Sequence, residues 1–126
     1  MIELALEENV NPKLKDESTD RLFHAILELQ TIDECYAFFE DVGTILEMKA
    51  FAQRFDVAKM LAERKTYKDI HEETGASEAT ISRVSRALHY GADGYRLILE
   101  RLGAYSHEEN AKTSNKHDIG VENGKE

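Results

Sequence analysis

Cysteine is nearly absent from this 126-residue chain, where Cys35 stands alone. One thiol makes neither an intrachain disulfide nor a multi-cysteine metal site, which fits a reducing, cytoplasmic setting. Proline is as scarce: only Pro12 interrupts the chain, so long segments are free to be helical. No stretch approaches the ~20 apolar residues needed to span a bilayer, so no membrane partner is expected. The opening MIELALEENVN lacks a basic segment followed by an apolar run and does not read as a secretion signal. Convincing strands are missing as well, so no Gly-rich phosphate loop follows one.

Catalytic groupings are equally sparse. The five histidines, His24, His71, His89, His107 and His117, fall in no ligand spacing. The acid pairs Glu7–Glu8, Glu72–Glu73 and Glu108–Glu109 read as solvated faces, because paired catalytic carboxylates need enclosure. Cys35 lies among apolar helix residues and is expected to be a buried small hydrophobe. Tyr90 and Tyr95 flank Gly91–Gly94 and read as aromatic packing around a helix–helix turn. These absences predict no enzyme, no cofactor and no metal.

What is present suits one small helical domain. Hydrophobic residues make up 41% of the chain, and the net charge is −9. The charge is unevenly spread. Residues 1–63 carry 6 basic and 14 acidic side chains, residues 64–103 carry 7 and 6, and residues 104–126 carry 3 and 5. The acid thus sits mostly outside 64–103. A local basic face there can still meet phosphate, because exposed charges are screened beyond about 8–10 Å.

Along the chain, residues 1–16 read as a flexible arm with at most a short helical turn. A helix is expected from about Ser18 to Gln30, with Leu22, Phe23, Ile26, Leu27 and Leu29 as its apolar stripe. Two capping boxes follow, Thr31 with Glu34 and Thr44 with Glu47, and Gly43 between them suits a positive-φ helix end. The helix from Ile45 to Glu63 is apolar over a wide arc: Ile45, Met48, Phe51, Ala52, Phe55, Ala58, Met60 and Leu61. Two readings stay open, ordinary core or an interface with a second copy. After Gly103 the chain turns polar, and 104–126 reads as a disordered tail.

The segment from about Thr66 to Tyr90 carries the most information. Thr66 caps a short helix to about Thr74, Gly75 breaks it, Ser77 caps a second helix, and Gly91 stops that one. Two helices joined by such a turn cross at roughly 90–120°. Ile70, Ala76, Ile81 and Val84 are placed to pack the crossing, and Gly75 to take a left-handed backbone. The second helix then turns Glu78, Ala79, Thr80, Ser82, Arg83 and Arg86 outward, which suits entry into a DNA major groove by its N-terminal end. Ala79 and Thr80 suit a thymine methyl or base edge, and Arg83 suits guanine or phosphate. Ser77 and the helix start suit a phosphate, with Lys65 and Lys68 reaching the backbone from the preceding helix.

The run Gly75–Arg83 resembles the reading head of the tryptophan repressor. The stretch from about Leu22 to Leu102 is similar to the shorter Trp-repressor-related proteins of the YerC/YecD type. The resemblance is carried by Glu34–Asp41, Ala52–Leu61, Glu73–Ser77 and Leu88–Tyr95. It implies an all-α, six-helix fold over 17–103 that forms an intertwined homodimer. It also implies double-stranded DNA as partner and Ala79, Thr80, Ser82 and Arg83 as contacts. The effector side departs from the pattern. Gln53, with Arg54 beside it, stands where these repressors hold their corepressor with Arg. Ala87 replaces a small polar residue, and Arg83 matches the other ligand-contacting Arg. Tryptophan is therefore not the expected effector, and another small-molecule corepressor or none is left open. His71 stands where Ala is expected.

Two functions compete on these residues. One is a sequence-specific transcription regulator, a repressor, reading DNA with the helix at about 78–90. The other is a protein-interaction module that keeps the helix-turn-helix scaffold without reading DNA, a reading favoured by the acidic total and by Glu78 at the entering tip.

Overall fold

The computed structural model describes residues 6–103, and the tail expected at 104–126 lies outside them. Within this range there are seven α-helices: α1 (Leu6–Asn9), α2 (Glu17–Ile26), α3 (Ile32–Val42), α4 (Ile45–Ala62), α5 (Tyr67–Thr74), α6 (Glu78–Tyr90) and α7 (Gly94–Arg101). Six of them, α2 to α7, fall in 17–103. The arm adds α1 and a 3-10 turn at Pro12–Leu14, which Asn11 caps through Lys13 N–H. Asn9 Nδ2 donates to Asp93 Oδ2 at 2.7 Å, which links α1 to the start of α7. Among the described residues no helix is long and apolar enough to cross a membrane.

The caps follow the sequence pattern with two differences. Thr44 and Glu47 form the full reciprocal box, at 3.0 and 2.9 Å. Thr31 accepts from Glu34 N–H, but Glu34 reaches one residue further back, to Gln30 N–H at 2.8 Å. Residues 27–30 serve as a connection, and α2 ends at Ile26 rather than near Gln30. Gly43 is the second difference: its φ is −123, extended backbone and not the left-handed end expected. The left-handed residue that terminates α4 is Arg64, at φ 68. There Lys65 N–H reaches back to Met60 O, the wrapped ending usually given to glycine.

The core lies at one end of the chain's architecture. Val57, Ala58 and Met60 of α4, Ile70 of α5, Ala76, Ile81, Val84 and Leu88 around α6, and Leu99 of α7 form one buried cluster. No residue of α2 or α3 is buried. Ile32, Tyr36, Ile45, Leu46 and Phe51 are exposed, Leu46 by 80%. The last turns of α4 therefore build the domain together with α5, α6 and α7, while its first turns and α3 leave an apolar surface open. Cys35 belongs to that surface. It is exposed, not buried, because α3 packs too little against the core to cover it, and it lines a groove of about 570 Å³ between α3 and α4.

Candidate nucleic-acid interface

The reading-head geometry starts from two threonine and serine caps. Thr66 Oγ1 accepts from Asp69 N–H at 3.1 Å and opens α5. Ser77 Oγ accepts from Thr80 N–H at 3.1 Å and opens α6. Between them Gly75 takes φ 74, where a Cβ would be penalised. The four residues placed at the crossing, Ile70, Ala76, Ile81 and Val84, are all at most 1% exposed.

Burial fixes which way α6 faces. Ile81, Val84 and Leu88 recur at helical spacing and enter the core. At 100° per residue, Ala79, Arg83 and Arg86 then lie on the opposite side, and all three are exposed. Thr80 and Ser82 sit on the two flanks and are half-buried, while Glu78 is exposed at the tip. Lys68 is exposed on α5, and Lys65 lies in the α4–α5 connection, half-buried. The structure thus brings Ala79, Arg83 and Arg86 onto one outward stripe.

The Ser77 hydroxyl is more committed than the sequence suggests. It accepts from Thr80 N–H and donates to Thr80 Oγ1 at 3.1 Å. An anion at this end would therefore meet the amides of Glu78 and Ala79, which a helix start does not satisfy internally. Thr80 keeps its own hydroxyl proton for donation.

A family model described as Trp repressor protein matches residues 17–103. The chain belongs to this family. Its members are helical DNA-binding regulators rather than enzymes. The uncharacterized protein YerC of Bacillus subtilis (strain 168) is 49% identical over 100 residues, 79% of this chain and 96% of that protein. A TrpR-like protein from Eubacterium eligens ATCC 27750 is 58% identical with a TM-score of 0.73, over 76% of this chain and 99% of its own. A candidate Trp repressor from Staphylococcus aureus is 43% identical with a TM-score of 0.72, over 83% of this chain and all of its own.

Of the three positions that the sequence offered for an effector, Gln53 and Arg54 sit apart from the outward stripe and Arg83 lies on it. Gln53 and Arg54 lie midway along α4, both half-buried. The Arg54 guanidinium stacks 5.1 Å above the Phe51 ring. Gln53 Nε2 donates to Thr74 O at 3.1 Å.

Two residues around the turn make bonds that the sequence did not show. Thr74 Oγ1 donates to Ile70 O at 2.7 Å and accepts from Ala76 N–H at 3.1 Å. His71 Nδ1 lies 2.8 Å from Ala76 O. A Thr two residues before Ala76 is the usual signal for such a local side-chain turn. His71 gave no comparable signal, because its bond depends on the folded turn.

Proposed function

We propose that this chain is a sequence-specific transcription regulator, a repressor, that reads double-stranded DNA as a homodimer. The observation that carries the reading is the outward stripe of Ala79, Arg83 and Arg86, directly opposite the buried Ile81, Val84 and Leu88. α6 enters the major groove by its N-terminal end. Ala79 and Thr80 meet a thymine methyl or base edge, Ser82 contributes a hydroxyl, and Arg83 donates to guanine or phosphate. Lys65, Lys68, Arg86 and the amides at the start of α6 hold phosphates and set the register. Glu78 at the tip selects a cytosine amino group and disfavours a phosphate close by.

The dimer is supported by the apolar surface of α3 and the first turns of α4. Ile32, Tyr36, Ile45 and Leu46 are each at least 73% exposed on these neighbouring helices, and apolar side chains left open in this way mark an interaction surface. A second copy covering it pairs two reading helices, and half-sites one helical turn apart, roughly 34–36 Å, follow from two-fold symmetry.

Selection of a preferred duplex from random DNA tests this reading. A pseudo-palindromic site with two half-sites is the expected result. Failure to enrich any sequence, with no duplex binding at ~50 mM salt, favours the scaffold as a protein-interaction module, the reading to which the exposed Glu78 points.

A further inference from the structure

We propose that Gln53 is a positioning residue for the reading head. Its side chain ties α4 to the α5–α6 turn from within the chain, so that α6 is held in its reading setting without a small-molecule effector. The proposal rests on the DNA-reading function above and adds what sets the angle of the reading helix.

The tie follows from an accounting of polar groups at the turn. The last four carbonyls of a helix lack partners within it. Thr74 O is the last carbonyl of α5, and Gln53 Nε2 donates to it at 3.1 Å from 21 residues away. A carbonyl oxygen only accepts, so the atom facing it is the amide nitrogen. Three further groups at the turn close locally. Gly75 N–H donates to His71 O at 2.8 Å. Ala76 N–H donates to Thr74 Oγ1, and Ala76 O accepts from His71 Nδ1. The turn is thereby stiffened as a unit, and the Gln53 bond attaches that unit to α4.

Register explains why Gln53 reaches it. Residues 53, 57 and 60 share one face of α4 at helical spacing, and Val57 and Met60 are buried in the core. Gln53 lies one turn nearer the N-terminus, at the margin of that core, where it is half-buried. A hydrogen bond there competes less with water than one on an open surface. The bond joins the last carbonyl of α5 to the same helix whose final turns support α6, so it anchors the turn between α5 and α6 to that helix. Preorganisation of this kind lowers the ordering cost of binding.

The test uses the full chain and a duplex selected from random DNA, with wild type, Gln53→Met, Gln53→Glu and Arg83→Ala. Met keeps length and helix propensity but cannot donate; Glu puts a carboxylate against the carbonyl. Duplex affinity, its salt dependence and hydrogen exchange at the Gly75 and Ala76 amides are the readouts. The proposal expects Gln53→Met to bind roughly two- to tenfold more weakly, Gln53→Glu more weakly still, both with an unchanged salt slope and faster exchange at the turn. It also expects L-tryptophan or a mixture of the standard amino acids at millimolar concentration to leave wild-type affinity unchanged. Equal affinity and equal exchange in Gln53→Met overturn the tie, and a rise in wild-type affinity with the added amino acids overturns its self-sufficiency. Wild type that binds no duplex, or Arg83→Ala that binds as well as wild type, overturns the DNA reading instead. In that case exchange alone judges the tie: faster in Gln53→Met supports it, unchanged overturns it.

Discussion

His71 Nδ1 lies 2.8 Å from the carbonyl oxygen of Ala76, across the turn that joins α5 to α6. The carbonyl accepts, so Nδ1 carries the proton in this contact. Ala76 is almost wholly buried, and loss of the ring removes its carbonyl's partner. His71→Ala is expected to cost about 1–3 kcal/mol, toward the lower end because the ring is itself exposed and leaves a path for water. Chemical unfolding of wild type and variant checks this, and equal midpoints contradict it.

The two glycines that bound the reading unit fail for different reasons when replaced. Gly75 has open space around its Cβ position but φ 74, so Gly75→Ala pays only the left-handed penalty, about 1–2 kcal/mol. Gly91 has an ordinary φ of −90, but a Cβ there would meet Ala87 O at 2.5 Å. Backbone must move to admit it, so Gly91→Ala is expected to be the more damaging change. Thermal melts of the two variants rank them, and the reverse order contradicts this account of the α6 end.

The exposed apolar face makes a sharp statement about mass. Burying a single Ile or Leu side chain is worth about 1.5–3 kcal/mol, and Ile32 and Leu46 are 74% and 80% exposed in the single chain. Wild type is expected to scatter light as a dimer at micromolar concentration, and Ile32→Asp with Leu46→Asp to scatter as a monomer. A monomeric wild type contradicts the second-copy assignment.

Acid is expected to weaken the start of α2. Asp16 Oδ1 accepts from Thr19 N–H at 2.7 Å, and that backbone hydrogen bond, helped by the Thr19 side chain, holds the carboxyl below its ordinary value. A group whose pKa is lowered on folding stabilises the fold above its unfolded value and loses that contribution as pH falls through the folded one. Cα chemical shifts for residues 17–26 are therefore expected to lose helical character as pH drops below the usual carboxylate range, and Asp16→Asn to remove most of that dependence. Shifts that hold through the acid range in wild type contradict the cap.

Much of this was legible in the sequence because it is local. Thr44, Thr66 and Ser77 are caps defined by neighbours three residues on, Gly75 by its own φ, and Ile70, Ala76, Ile81 and Val84 by helical spacing. Much of what was not legible depended on contacts between distant segments. Cys35 sits in an apolar run, as a buried residue does, yet α3 lies off the core and leaves it exposed. Gly43 stands between two helices, where a left-handed end is common, but its extended backbone already leads into the Thr44 cap. Gln53 looked like a ligand position by alignment, and its bond to Thr74 required the folded crossing. Ser77 is a local exception: its hydroxyl is occupied by Thr80 on both its donor and acceptor sides, which depends on the side-chain rotamers and not on the spacing.

Whether α6 reads DNA is decided by duplex binding as a function of salt, in wild type and Arg83→Ala side by side. Wild-type log affinity is expected to fall linearly with log salt, as phosphate-bound counterions are released, with a preferred site bound far above random DNA. Arg83→Ala is expected to keep its helical content and lose that preference, with a cost of about 1–3 kcal/mol at one base position. Wild type that binds no duplex at ~50 mM salt, or Arg83→Ala that binds the preferred site at wild-type strength, would contradict the DNA reading.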